Sequence, residues 1–285
     1  MRIFGPSCIL GEGPLWHPDL QRLYWFDIPV GRLHACNHLG GQHHCWDFGE
    51  PASAAGWIDN DTLLVATASG LQKFNLTFGQ WETVQEIEAD NPVTRSNDGR
   101  IGPDGSFWIG TMARDGRPRA GAFYRYHQGQ LDCLASPVSI PNATCFSPDG
   151  RTAYLADTRK QIIWRWPLDE SGNPMGERQV HINLQDDNLN PDGAVCDAEG
   201  YLWNAQWGAW RVSRYAPDGS LDKTIELPVG QPTCPAFGGP DLKTLFITSA
   251  NDGLNEKDMQ NQPDAGNVIA IELDVAGLPE HRAQV

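Results

Sequence analysis

A six-bladed β-propeller is the fold that this 285-residue sequence predicts, because one short strand pattern can be traced along it six times. Each repeat has a tight turn followed by alternating aromatic and aliphatic residues, as in PDGSFWIGT at 103–111 and SPDGRTAYLAD at 147–157. Such a segment is typical of a hairpin turn and its second strand. A further strand-like run follows, for example QIIWRW at 161–166.

The spacing of the turns supports propeller blades over other all-β folds. The turn position falls at Pro18, Asp59, Pro103, Pro148, Ala198 and Pro240, at intervals of 41, 44, 45, 50 and 42 residues. Periods of roughly 40–50 residues are those of propeller blades, whereas a β-sandwich has no reason to keep them. Six such repeats account for nearly the whole chain, so we expect a single domain over residues 1–285, with almost no helix.

Ring closure is the next expectation from this fold. The first repeat begins near Glu12, which leaves an N-terminal segment without a place in its own blade. Because an open propeller would expose strand edges, we expect this segment to pair with the blade made by the last ~50 residues.

Composition and charge narrow the classes of partner. The chain has 21 basic and 36 acidic residues and a formal net charge of −15, without an evident basic patch, which argues against nucleic acid and anionic membranes. No apolar run approaches the ~20 residues of a membrane span, and the N-terminus does not resemble a signal peptide. Seven scattered cysteines without a C-x-x-C pair indicate a reduced, cytoplasmic protein with buried thiols.

Counting back from each turn reveals a candidate site. Six residues before the turn, in the strand that lines the channel, a polar residue recurs within otherwise largely apolar sequence; the last repeat fits if one glycine is inserted. These residues are Glu12, Ser53, Asn97, Asn142, Asp192 and Thr233. Strands of six blades bring equivalent side chains to one level of the channel. Two carboxylates and two carboxamides there suit a divalent cation, although such a ring also suits ordered water.

Five colinear motifs carry a resemblance to a known family. They are LGEGPLWHPD (10–19), TRSNDGRIGPDGSFWIGTM (94–112), IPNATCFSPDG (140–150), NPDGAVCDAEG (190–200) and PTCPAFGG (232–239). Together they resemble the SMP-30/gluconolactonase/regucalcin family of six-bladed propellers, over essentially the full chain. The resemblance implies metal ligation by Glu12, Asn142 and Asp192 and substrate contacts by Arg95 and Asn97. It implies a weaker substrate assignment for Asp115, where some members carry Glu.

The resemblance implies hydrolysis of a sugar (aldono-) lactone with one divalent metal ion as cofactor. The metal would polarise the carbonyl, and Asp192 is our choice for the base that accepts a proton from water. A set of Glu, Asn and Asp leaves the metal open among Ca, Zn, Mn, Mg and Fe(II). Two alternatives remain: a phosphotriesterase-like hydrolase, which needs a more apolar pocket, and a calcium-binding propeller without catalysis. The sugar and the oligomeric state are not specified by the sequence.

Overall fold

The computed structural model describes all 285 residues and forms six four-stranded antiparallel sheets, the six blades of a β-propeller. Helix makes up only 3% of the chain, as expected. It is limited to a 3₁₀ turn at Thr158–Lys160 and one short helix, α1, at Glu256–Asn261. The fold predicted from the repeat is confirmed.

The strands follow the chain from blade to blade, each blade running from an inner to an outer strand. Blade 1 has β2 (Gly11–His17), β3 (Arg22–Asp27), β4 (Arg32–Asn37) and β5 (His44–Asp47); blade 2 has β6 (Ala52–Asp59), β7 (Thr62–Thr67), β8 (Gly70–Asn75) and β9 (Gln80–Glu86); blade 3 has β10 (Thr94–Ile101), β11 (Phe107–Ala113), β12 (Gly121–His127) and β13 (Gln130–Val138). Blade 4 has β14 (Pro141–Phe146), β15 (Thr152–Asp157), β16 (Ile162–Pro167) and β17 (Gln179–Asn183); blade 5 has β18 (Asn190–Cys196), β19 (Leu202–Trp207), β20 (Arg211–Tyr215) and β21 (Leu221–Glu226). Blade 6 combines β22 (Pro232–Gly238), β23 (Thr244–Ser249) and β24 (Val268–Glu272) with β1 (Arg2–Phe4).

The N-terminal strand closes the ring as predicted. β1 is the outer strand of blade 6 and pairs antiparallel with β24, with Ile3 opposite Ile269. The Phe4 ring also lies edge-on to Phe246 of β23, with 6.2 Å between centroids. Backbone pairing and aromatic packing therefore join the first residues of the chain to its last blade.

Aromatic residues of the repeat pack between neighbouring blades and form the core. Trp16 of blade 1 stacks on Phe246 of blade 6, with centroids 5.8 Å apart. Trp108 of blade 3 meets Phe146 of blade 4 at 5.5 Å in an edge-to-face arrangement. Because both tryptophans are fully buried, the recurring aromatic positions hold the blades at fixed angles to one another.

An irregularity recurs on every inner strand and was not apparent from the sequence. The pairing of the inner strand with its neighbour shifts register between Glu12 and Leu15 in blade 1, and equivalent shifts occur in the other five blades. Each shift begins at or beside the polar residue of the ring. A β-bulge re-aims side chains, so these bulges fix how the ring residues are presented to the channel.

The cysteines depart in part from the expectation of buried thiols. All seven are free, which agrees with a structure that does not depend on disulfides. Five are buried, but Cys45 and Cys133 are exposed because they lie on the outer strands β5 and β13, where one face meets solvent.

Candidate active site

Four of the six ring residues line one cavity of about 250 Å³ at the mouth of the channel. They are Glu12, Asn97, Asn142 and Asp192, each no more than 6% exposed. The other two ring residues do not line it. The Ser53 hydroxyl donates to Ser96 Oγ at 2.8 Å, and the Thr233 hydroxyl donates to the carbonyl of Gly11. The predicted ring therefore contains four cavity residues and two that connect neighbouring blades.

The backbone next to two of these residues adopts the left-handed conformation. Gly13 follows Glu12 with φ 54°, and Ala143 follows Asn142 with φ 56°. A Cβ on Gly13 would lie 2.2 Å from the carbonyl oxygen of Ser53, so only glycine fits at that bulge. An alanine in this conformation costs energy, and such positions concentrate at functional sites.

Hydrogen bonds orient both amides of the site. Asn142 Nδ2 donates to Thr158 Oγ1 at 2.8 Å, which directs Asn142 Oδ1 towards Asn97. Asn97 Nδ2 donates to that oxygen at 3.1 Å and to the carbonyl of Pro141 at 2.9 Å. Thr158 in turn donates to the carbonyl of Pro191 at 2.7 Å, so that the chain of contacts reaches the strand bearing Asp192. The side-chain amides of Asn97 and Asn142 are therefore held in place before any ligand binds.

Arg95 stands above Asn97 on the same strand. Its Nη1 donates to Asn97 Oδ1 at 2.8 Å and to the carbonyl of Ser96 at 2.7 Å, while its Nε and Nη2 have no protein acceptor. Desolvation lowers the pKa of Arg95 to about 10, although the carboxylates of Glu12 and other acidic residues oppose the shift. The guanidinium remains charged at neutral pH and has free N–H groups at the cavity.

Two buried carboxyl groups form the acidic part of the cavity. Burial raises the pKa of Glu12 to about 8, and the charge of Asp98 adds to the shift. Burial also raises the pKa of Asp192 well above its usual range, with Glu12 and Asp98 contributing further. Asp98 itself accepts from the backbone N–H of Thr144 at 2.7 Å and does not line the cavity. Both cavity carboxyls thus resist ionisation when no cation is near.

The side-chain oxygen atoms in this cavity fit a divalent cation. Glu12, Asp192 and the amide oxygen of Asn142 could together hold one, since oxygen ligands suit such ions and a positive charge would offset two desolvated carboxylates. The chain contains no group of three or more His, Cys, Asp or Glu side chains arranged to hold a metal. A metal here would accordingly depend on two acidic side chains and a neutral amide.

Asp115 is not brought to the cavity. It lies in the loop after β11, is exposed, and its carboxylate is held by Arg117, with 2.6 Å between Asp115 Oδ2 and Arg117 Nη2. The pKa of Asp115 is lowered to about 2 by that contact. A substrate role for Asp115 would require the carboxylate to leave Arg117, and the assignment stays a prediction.

The cavity is also lined by residues outside the six ring positions and Arg95. They are Leu10, Met112, Ile140, Thr158, Trp207 and Asp252. Leu10 and Ile140 stand two residues before their ring residues, as Arg95 does, so the period-2 alternation of a strand could have identified them. Of the nearby tryptophans, Trp207 lines the cavity, whereas Trp210 does not.

The chain resembles known proteins over nearly its full length. The family model described as "SMP-30/Gluconolactonase/LRE-like region" matches residues 10–251. The chain belongs to this family. A 6-deoxy-6-sulfogluconolactonase of Pseudomonas putida is 36% identical over 279 residues, covering 95% of this chain and 94% of the relative. An L-arabinolactonase of Azospirillum brasilense is 37% identical over 279 residues, covering 96% and 91%.

A solved structure agrees over the whole ring. The calcium-binding protein regucalcin of Agrobacterium tumefaciens superposes with a TM-score of 0.96 at 37% identity, covering 98% of this chain and 95% of that chain. No helix of the present family member is long and apolar enough to cross a membrane.

Proposed function

We propose that this protein is a lactonase that hydrolyses a sugar (aldono-) lactone to the corresponding sugar acid, with one divalent cation at Glu12, Asn142 and Asp192. The observation that carries the proposal is the meeting of these three residues with Arg95 in one cavity. Family relatives named as lactonases support the reaction type. Their names differ in the sugar, so the particular lactone is left open, as is the metal among Ca, Zn, Mn, Mg and Fe(II).

The cavity residues have distinct parts in this reaction. A divalent cation bound there would supply a Lewis acid that stabilises negative charge on the lactone carbonyl oxygen. Asp192 is the base that would accept a proton from the attacking water, since its carboxyl group lines the same cavity as Arg95 and the other proposed metal ligands. Arg95 donates its free N–H groups to sugar hydroxyls, and Asn97 holds Arg95 in the orientation that this requires.

The walls of the cavity favour a sugar ring over a wholly apolar substrate. Leu10, Met112, Ile140 and Trp207 offer apolar surface for a sugar ring, while the remaining lining residues are polar or charged. A phosphotriester would gain from the apolar wall but leave the buried polar groups unpaired. A calcium-binding role without catalysis gives no reason for a charged, partly unpaired Arg95 beside the acidic groups.

One substrate panel tests the proposal against both alternatives. Purified protein is assayed with D-gluconolactone, other aldonolactones and a phosphotriester, each with and without chelator and corrected for spontaneous hydrolysis. We expect lactone turnover that chelation abolishes and a divalent cation restores, and little phosphotriester turnover. Asp192→Ala should lose both metal and activity, whereas Asp187→Ala, an exposed aspartate in the loop before β18, should keep both. Full lactonase activity of metal-free protein would refute the metal assignment.

A further inference from the structure

Asp252 is an unpaired carboxylate at the rim of the cavity. It lies in the loop after β23, is exposed, and lines the cavity together with Arg95 and Trp207. Its backbone carbonyl accepts from Gln231 Nε2 at 3.0 Å, but its carboxylate has no hydrogen-bond or ion-pair partner in the chain. An acidic side chain that faces a cavity without a partner is available to a ligand.

Arg95 and Asp252 act on one another through charge without touching. The negative charge of Asp252 raises the pKa of Arg95, yet no ion pair within 4.0 Å joins the two side chains. Both border the same cavity. A sugar hydroxyl between them can accept a hydrogen bond from Arg95 and donate one to Asp252, which uses both polar functions of one hydroxyl.

The charges of the cavity disfavour a ligand with a negative group at the rim. Three lining residues are acidic, namely Glu12, Asp192 and Asp252, and Arg95 is the only basic one. Glu12 and Asp192 lie beneath the rim and would be compensated by a bound cation. Asp252 is exposed and has no ion pair within 4.0 Å, whereas Arg95 Nη1 is held against Asn97 and the carbonyl of Ser96, so an anionic substituent beside Asp252 meets its charge directly.

We propose that Asp252 is a specificity-determining residue, which selects neutral sugar rings over rings that carry a carboxylate, phosphate or sulfonate away from the lactone. This inference rests on the proposed lactonase function, since it assigns the substrate class of the same cavity. One relative is named for a sulfonated lactone and another for L-arabinolactone, so family members are named for both anionic and neutral substrates. Because these proteins share one fold, we expect their preference for neutral or anionic lactones to depend on residues at the cavity rim.

A matched pair of substrates tests the selection. D-glucono-1,4-lactone and D-glucaro-1,4-lactone share a ring and differ at C6, which is a hydroxymethyl group in one and a carboxylate in the other. In Asp252→Asn we expect kcat/KM to fall about fivefold for the neutral lactone, since an amide oxygen accepts a hydrogen bond less strongly than a carboxylate. For the anionic lactone we expect a rise of about tenfold, because like-charge repulsion at the rim is removed.

Three further measurements separate this role from a structural one. Asp252→Glu should retain the preference for the neutral lactone, and Asp187→Asn, which removes an exposed charge outside the cavity, should leave both substrates unchanged. In the parent protein, raising ionic strength should increase kcat/KM for the anionic lactone, and Asp252→Asn should lose most of this salt dependence. An unchanged ratio of the two substrates in Asp252→Asn would overturn the proposal.

A binding experiment keeps this inference distinct from the lactonase proposal. Methyl β-D-glucopyranoside and methyl β-D-glucuronide differ by the same charge and contain no lactone, so their affinities can be measured by calorimetry whether or not the protein hydrolyses lactones. Weaker binding of the glucuronide that is relieved in Asp252→Asn would support the selection even if no lactone were turned over. Equal relative affinities in parent and variant would contradict it.

Discussion

Asn97 connects the proposed metal ligands to the proposed substrate residue. Its Oδ1 accepts from Arg95 Nη1, and its Nδ2 donates to Asn142 Oδ1. The family resemblance implies that Asn97, like Arg95, contacts substrate; the hydrogen bonds place it equally beside Asn142, a proposed metal ligand. We therefore expect Asn97 to influence both metal affinity and substrate orientation, whereas Arg95 lies one step further from the metal.

Arg95→Ala should impair turnover without loss of metal. A hydrogen bond to a charged group typically contributes about 1.5–3 kcal/mol, so kcat/KM should fall roughly 10- to 150-fold. Removing a positive charge near Glu12 and Asp192 does not weaken their attraction for a cation, so metal content should stay near that of the parent. Kinetics and elemental analysis on the same preparations check both statements. Loss of metal from a normally folded Arg95→Ala protein would contradict the division of roles.

Metal affinity should depend on pH through Glu12 and Asp192. The pKa of Glu12 is raised to about 8 and that of Asp192 is also raised, so below pH 8 a cation must displace protons from its ligands. Affinity should therefore weaken as pH falls from 8 to 6.5, by about tenfold per pH unit for each proton released. Calorimetry in buffers of different ionisation enthalpy measures both affinity and proton release. Affinity that is independent of pH over this range would argue against these ligands.

At the scale of the element, the inner strands show what the sequence could and could not predict. The turn period predicted all six blades, and counting back from each turn reached Glu12, Asn142 and Asp192 because equivalent strand positions share one level. The bulges beside them arise from pairing with the neighbouring strand, which the inner strand's own sequence does not specify. Asp252 lies in the loop after β23, the second strand of blade 6, whereas counting back from the turns reaches only the inner strands. The repeat therefore could not identify Asp252.

The C-terminal tail crosses the opposite end of the propeller from the cavity. After β24 it contacts four blades through backbone bonds, at Ala198, Leu242, Trp57 and Gly105. Glu280 of the tail pairs with Arg100 at the end of the inner strand of blade 3, and these side chains are only 8% and 11% exposed. Arg100 also donates to the carbonyls of Ala194 and Pro235 on blades 5 and 6. The buried ion pair thus joins the tail to three blades.

Glu280→Ala should destabilise the fold strongly and leave the cavity intact. Removal of one partner leaves Arg100 buried and unpaired, which typically costs about 3–5 kcal/mol. The unfolding entropy of a 285-residue chain is about 0.6 kcal/mol/K, so this loss lowers Tm by roughly 5–8 °C. The matched control is Glu170→Ala, which breaks the exposed pair with Arg151 (3.2 Å) and should cost under about 1 kcal/mol. Equal effects in thermal unfolding would show that the tail pair contributes no more than a surface pair.

At the scale of the whole molecule, the closed ring determines the geometry of the cavity. The proposed metal ligands come from blades 1, 4 and 5, and Arg95 comes from blade 3, so the distances between these residues depend on the angles between blades. Those angles are set by packing such as Trp16 on Phe246 across the junction of blades 1 and 6. Within blade 6, β1 pairs with β24, and the chain then runs from β1 directly into β2 of blade 1, so this pairing ties the two blades together.

Deletion of residues 1–5 should open that junction. Blade 6 would lose β1, the partner of β24, together with the packing of Phe4 on Phe246. The exposed edge of β24 would then offer unpaired N–H and C=O groups to other molecules. We expect a lower Tm and concentration-dependent association, measured by thermal unfolding and light scattering. Metal affinity should also fall, because Glu12 lies on the blade next to the opened junction.

Arg2→Ala is the matched control for this deletion. It keeps β1 and removes only the exposed ion pair between Arg2 and Glu272, whose closest atoms are 3.0 Å apart. Exposed pairs contribute roughly 0–1 kcal/mol, so Tm and association state should stay close to those of the parent. A truncated protein that remained monomeric, with the Tm and metal affinity of Arg2→Ala, would mean that blade-to-blade packing closes the ring without the N-terminal strand.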